Sequence, residues 1–206
     1  GKARLLTIVG VGGAGKSRLA LEVSAAISES TLVCVVPLDG VSAALASIAA
    51  WAGALRFPLH GGDAEAQLIE YLRDKRALVV LDGADALSET DFMSAALAAC
   101  PGLSILATRR EPFMVEGEIV LRLAGLAAPK TPSELHTAPA SGLFMQAARA
   151  AHREFDFEAR DFEAFCGICE AVGGSPLALR LAAQWTRLLS LQEISAELRR
   201  GVSFIS

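Results

Sequence analysis

Gly10-Val11-Gly12-Gly13-Ala14-Gly15-Lys16-Ser17 is the stretch from which the rest of the chain can be read. It fits G-x-x-x-x-G-K-S, a phosphate-binding loop, and its surroundings fit the motif. Leu5-Leu6-Thr7-Ile8-Val9 before it is a short apolar run suited to a strand. Arg18-Leu19-Ala20-Leu21-Glu22-Val23 after it opens a helical pattern. Glycines let such a loop turn backbone N–H groups toward phosphate oxygens, because no Cβ stands in the way. The helix that follows adds its positive dipole end. Lys16 is expected to reach the β- and γ-phosphates, and the Ser17 hydroxyl to complete the shell of a Mg²⁺ ion. Gly10, Val11, Gly12, Gly13, Ala14, Gly15, Lys16, Ser17 and Arg18 form the expected phosphate-contacting set.

Bulk composition narrows the classes. A chain of 206 residues is long enough for one large domain, or for one domain and a small helical companion. Hydrophobic residues make up 52% and the mean hydropathy is +0.42, but much of that excess is alanine. No apolar run approaches the length that spans a bilayer. The first apolar run leads straight into the glycine loop, so it does not read as a signal peptide. A net charge of −4 and a pI near 5.4 give no electrostatic footprint for nucleic acid. The fragment is expected neither to grip DNA by itself nor to meet a membrane. The cysteines Cys34, Cys100, Cys166 and Cys169 are expected to stay reduced in the cytoplasm. Cys166-Gly-Ile-Cys169 has redox or zinc-like spacing, yet it lies in an apolar helical run with no second pair, and it reads as core.

Taken in order, Thr31–Val36 is a continuous apolar run, as expected for a strand buried on both faces, and Pro37 ends it. Helices are expected over 42–54 and 64–73, the second capped by Asp63. Ala77-Leu78-Val79-Val80-Leu81-Asp82 then places an acid at the end of a buried strand, where it would emerge beside the phosphates and hold Mg²⁺. After a helix at 88–99, Leu103–Thr108 is a fourth strand, with Arg109 and Arg110 at its carboxyl end. An arginine there can contact a γ-phosphate and report its presence. A short fifth strand centres on Ile119-Val120-Leu121. Residues 127–142 carry Pro129, Pro132 and Pro139 without periodicity and read as a linker. Everything beyond is helical, over 143–152, 158–172, 177–189 and 191–199, with Ser175-Pro176 restarting a helix after Gly173-Gly174. The fold class is therefore α/β, residues 1–126, followed by a small all-helical domain, 143–206.

Several of these stretches together resemble the STAND ATPases, the signalling relatives of NB-ARC proteins, and in particular a bacterial branch found in multidomain transcriptional regulators. The loop, Val79-Val80-Leu81-Asp82 and Leu106-Ala107-Thr108-Arg109-Arg110-Glu111-Pro112 are similar to that branch's Walker A, Walker B and sensor motifs. Gly142-Leu143-Phe144-Met145-Gln146-Ala147-Ala148 resembles the helix opening its small domain. Gly174-Ser175-Pro176-Leu177-Ala178-Leu179 resembles its Gly-x-Pro-Leu-Ala-Leu block. The resemblance implies a five-stranded parallel sheet with the sensor strand between the two Walker strands. It also implies ATP or ADP with Mg²⁺ bound between the domains, Pro176 near the base and sugar, and Arg110 as the sensor with Arg109 in reserve. Such proteins rest closed with ADP, exchange it for ATP, open and self-associate, and use slow hydrolysis as a reset. No Asn-Lys-x-Asp guanine motif is present, which favours adenine.

Two departures stand out. The family's acidic strand commonly ends in two adjacent acids, whereas Gly83 follows Asp82 and the next acid is Asp85. Asp85 is either a displaced base or an ordinary loop carboxylate, so hydrolysis is expected to be slow or to need another subunit. The upstream adenine-holding segment and the downstream effector domains of the family are not in this sequence, which reads as an excised core. The rival readings are a P-loop hydrolase or kinase with steady turnover, and a scaffold that kept the fold without its ligand.

Overall fold

The computed structural model describes residues 4–28, 31–41, 44–87 and 90–203. The opening residues of the helices expected at 42–54 and 88–99 lie outside the described residues, as do residues 1–3 and 204–206 of the expected domains. Five strands form one parallel sheet: β1 (Leu5–Val9), β2 (Leu32–Pro37), β3 (Ala77–Asp82), β4 (Leu103–Arg109) and β5 (Glu118–Arg122). Their order is β2-β3-β4-β1-β5, so β4 lies between the two strands that carry the loop and the acid, as expected.

Side chains alternate across a strand, and the two faces of this sheet are covered unequally. Leu5, Val79, Leu81, Leu103, Ile105 and Ala107 pack on one face in the larger core. Helices α2 (Ala44–Ala54), α3 (Ala64–Leu72) and α4 (Asp91–Ala99) supply its other side, with Trp51 edge-on to Phe92. The other face, carrying Ile8, Leu78, Val80 and Leu106, is packed by α1 (Lys16–Ile27) through the buried Ala20. Because α1 lies against β1, β3 and β4, the outer strands are left half covered. Leu32 and Val35 of β2 are exposed, so the expectation of a doubly buried strand fails at this sheet edge. Asp63 caps α3 as expected, its carboxylate accepting from the Ala66 N–H at 3.1 Å.

The chain divides into two compact units: residues up to Gly10 with Lys16–Leu123, and Val11–Gly15 with Ala124–Ser206. The second unit is built from α5 (Pro139–Ala151), α6 (Phe162–Ala171), α7 (Pro176–Gln184) and α8 (Leu191–Ser203). The linker expected over 127–142 is not one. Pro132–Glu134 forms a 3-10 turn, Leu135 is fully buried, and α5 begins at Pro139. Proline at the first helical turn lacks only an N–H that would be unpaired anyway, so the residue read as a breaker is a helix start. The core here is aromatic. Phe144 sits between Phe165, with ring centroids 5.1 Å apart, and Phe157, at 6.0 Å, and Phe157 meets Phe165 at 4.8 Å. Among the described residues no helix is long and apolar enough to cross a membrane.

Phe144→Ala removes the centre of this cluster and leaves a cavity. It should cost the second unit about 3–5 kcal/mol, read as a lower urea midpoint at unchanged slope. A loss below about 1 kcal/mol would mean that the cluster does not hold the unit together.

Candidate functional site

The glycine loop follows β1 and closes into the first turn of α1. Gly13 and Gly15 take positive φ values of 74° and 96°, a conformation that favours glycine and lets the loop curl around its own centre. The Ala14 N–H donates to the Val11 carbonyl at 3.2 Å. Lys16 Nζ donates to the Gly10 carbonyl at 2.8 Å, which draws the ammonium back over the loop. Ser17 and Arg18 follow on α1, where Arg18 pairs with Glu22 at 2.6 Å on the exposed surface.

Within the second unit, the loop meets the start of α7. The Gly13 carbonyl accepts from the Leu177 N–H at 3.3 Å and from the Ser175 hydroxyl at 3.5 Å. A Cβ on Gly13 would lie 2.7 Å from the Leu177 Cβ, so this contact is open only to glycine. Ser175 caps α7 and Pro176 is its first residue, with Cγ 4.0 Å from where a Gly15 Cβ would stand.

Asp82 ends β3 at the carboxyl edge of the sheet. Its carboxylate accepts from the Thr108 hydroxyl at 2.6 Å, and the same hydroxyl accepts from the Gly83 N–H at 2.9 Å. Thr108 is buried, so one side chain of β4 fixes both the acid and the turn that follows it. In the sequence Thr108 stands only inside a motif, and its polar side chain after the apolar Ile105-Leu106-Ala107 is the signal that marks it.

The arginines after Thr108 behave differently from one another. Arg109 shares its face with Ala107 and Ile105, and its guanidinium stacks 4.0 Å over the Phe113 ring and reaches the Leu87 carbonyl at 3.5 Å. Its Nε has no hydrogen-bond partner among the described residues, and burial pulls its pKa below the ordinary arginine value. Arg110 lies beyond the strand and is exposed. Its backbone N–H donates to the Asp85 carboxylate at 2.5 Å, and its Nε lies 3.7 Å from the other carboxylate oxygen. Asp85 sits in the 3-10 turn Ala84–Ala86.

Gly83 has a φ of 72°, and a Cβ there would run into the carboxylate of Asp39. No second acid fits directly after Asp82, and Asp39, from the loop after β2, brings a carboxylate to that place. Asp39 carries no cue in the linear sequence, since its proximity depends on β2 lying beside β3.

The cysteines are free. Burial pushes the Cys34 thiol up to about 11 and that of Cys169 up to about 12. The half-buried Cys166 has its Sγ 3.5 Å from the Pro129 carbonyl.

The strand order and the loop define a P-loop fold with a five-stranded parallel sheet, and solved structures share it. Drosophila ORC bound to DNA superposes with a TM-score of 0.58 at 14% identity, over 97% of this chain and 60% of that one. The Aeropyrum pernix ORC2 protein, solved as ADPNP–ADP complexes, gives 0.56 at 17% identity, over 97% and 61%. A STAND protein with a tetratricopeptide repeat sensor from Pyrococcus horikoshii gives 0.52 at 16%, over 97% of this chain and 30% of that one. No protein-family model matches the chain. A Mycobacterium bovis protein named provisionally as an HTH-type transcriptional regulator is 33% identical over 195 residues, 93% of this chain and 21% of its own length. A second M. bovis protein, whose name assigns no function, is 33% identical over 206 residues, 95% of this chain and 49% of its own. The chain thus spans between about a fifth and about a half of the curated relatives it matches.

Thr108→Val keeps the volume but removes the hydroxyl, leaving the Gly83 N–H without its acceptor and Asp82 without its donor. It should lower stability by about 1–3 kcal/mol in urea unfolding, with Thr108→Ser losing less. Equal stability of the Val variant would show that the bridge carries no weight.

Proposed function

We propose that this chain is a nucleotide-dependent switch module of the STAND type, acting within a larger transcription regulator. It takes ATP or ADP with Mg²⁺, and hydrolysis is slow. The observation that carries the reading is the pairing of a complete phosphate loop after β1 with an oriented acid at the end of β3. The donor set suits the ligand: loop amides and Lys16 for phosphate, Ser17 and Asp82 for a hard cation. Mg²⁺ is ordinarily held by one or two protein oxygens together with substrate phosphates and water, which is what this pair offers. Bound there, the cation would neutralise phosphate charge.

Each side chain has a role in this reading. Lys16 leaves the Gly10 carbonyl for the phosphates. Arg110, exposed beyond β4, senses the γ-phosphate, while Arg109 is committed to Phe113 and serves packing. Asp85 holds the Arg110 backbone, which fits slow hydrolysis better than a base poised for water. Pro176 faces the base. In such a switch a γ-phosphate shifts the equilibrium through the contacts that it alone makes. Self-association of the ATP form in the whole protein belongs to the same reading.

Lys16→Ala should weaken binding of fluorescent ADP by roughly 10- to 100-fold, and Asp82→Asn should remove the dependence on Mg²⁺. Unchanged affinity in the Lys16 variant contradicts the phosphate cradle. Phosphate release at about ten per second or faster would favour a turnover enzyme over a switch.

A further inference from the structure

Helix α7 has two apolar stripes where a helix at the edge of a small domain needs one. Leu179, Ala182 and Ala183 face the core of the second unit. Leu181 of α7, Trp185 of the 3-10 turn Trp185–Arg187 that extends it, and Leu188 just after that turn are spaced i, i+4 and i+7. They are 53%, 43% and 89% exposed. Beside them runs a groove of about 610 Å³ whose α5 wall is Ala147, Ala150 and Ala151. Small residues on that wall leave room for another helix to approach closely.

Charge says what kind of helix. Arg180 and Arg187 line the groove on either side of Trp185, and neither has a hydrogen bond or ion pair among the described residues. Helices α5 and α7 and the 3-10 turn contain Arg149, Arg180 and Arg187 and no Asp or Glu at all. In a chain with 23 acids against 19 bases, this is a locally basic and apolar face. Arg149 is already paired with Asp156 at 3.3 Å, which leaves the two groove arginines. A second copy of the same face would bring arginine against arginine with no carboxylate between them. A nucleic acid would find two cations on a molecule of net charge −4.

We propose that the α5–α7 face is a docking site for an acidic amphipathic helix of a protein partner. Its leucine-type residues lie along Leu181, Trp185 and Leu188, and its carboxylates pair with Arg180 and Arg187. This site is independent of the nucleotide reading and uses none of its residues.

The test uses a labelled peptide of about 16 residues, with leucines at i, i+4 and i+7 flanked by glutamates, and its counterpart with lysines in place of the glutamates. Trp51 is buried, so a change in tryptophan emission on binding reports Trp185. The glutamate peptide should bind with a blue shift, about tenfold or more tighter than the lysine peptide. Arg180→Glu with Arg187→Glu should reverse that preference, while Arg180→Lys with Arg187→Lys keeps it; circular dichroism checks that both fold. No binding up to about 1 mM, equal binding of the two peptides, or a preference for oligo-dT overturns the proposal. So does a concentration-dependent dimer that shields Trp185 in the absence of peptide.

Discussion

Asp82 holds its place at the sheet edge because Thr108, on the neighbouring strand, donates to it across 2.6 Å. That bond exists only because β4 is inserted between β1 and β3. The insertion sets Gly10, Thr108 and Asp82 at the carboxyl ends of three adjacent parallel strands, where open α/β sheets place their ligands. The buried Thr108 hydroxyl donates once and accepts once, so moving the acid or the Gly83 turn would strand a polar group. The glycine loop itself is ordinary backbone chemistry. A complete loop motif after β1 and an oriented acid at the end of β3 are what mark a candidate site.

Local pattern carried far in the sequence. The boundaries of β1 and β3 were legible because each is an apolar run with a sharp polar or glycine end. The caps at Asp63 and Ser175 were legible because their side chains act on N–H groups three residues away. What escaped was non-local. Asp39 meets Gly83 only through the pairing of β2 with β3, and Arg109 turns onto the face of Ile105 and Phe113 because of its parity along β4. The tract at 127–142 misled for a different reason. Proline and serine mark helix starts as well as linkers, and only the burial of Leu135 and Ala140 separates the two readings.

The two arginines after β4 show how strand geometry divides labour between adjacent identical residues. Arg109, the last residue of the strand, is drawn onto Phe113 on the face carrying Ile105. Arg110, one step beyond, is released from the pleat and meets Asp85. A similar division appears on α7, whose amino end caps itself with Ser175 and meets the glycine loop, while its far end presents an apolar stripe between arginines. One short helix thus carries two surfaces of different chemistry. The first is tied to the candidate phosphate site, and the second is open to a partner.

In the proposed function, the loop motif, Lys16 and Asp82 serve binding of a Mg²⁺–nucleotide complex. Thermal unfolding with ADP, in Mg²⁺ and again in EDTA, tests it most directly. At about 100 times the dissociation constant, a ligand that binds only the folded chain adds about 2.7 kcal/mol. For a chain of this length that is a rise in Tm of several degrees, about 2–4 °C per kcal/mol. The account predicts that rise with ADP and Mg²⁺ and a smaller one in EDTA. An unchanged Tm at millimolar ADP and Mg²⁺ would contradict it.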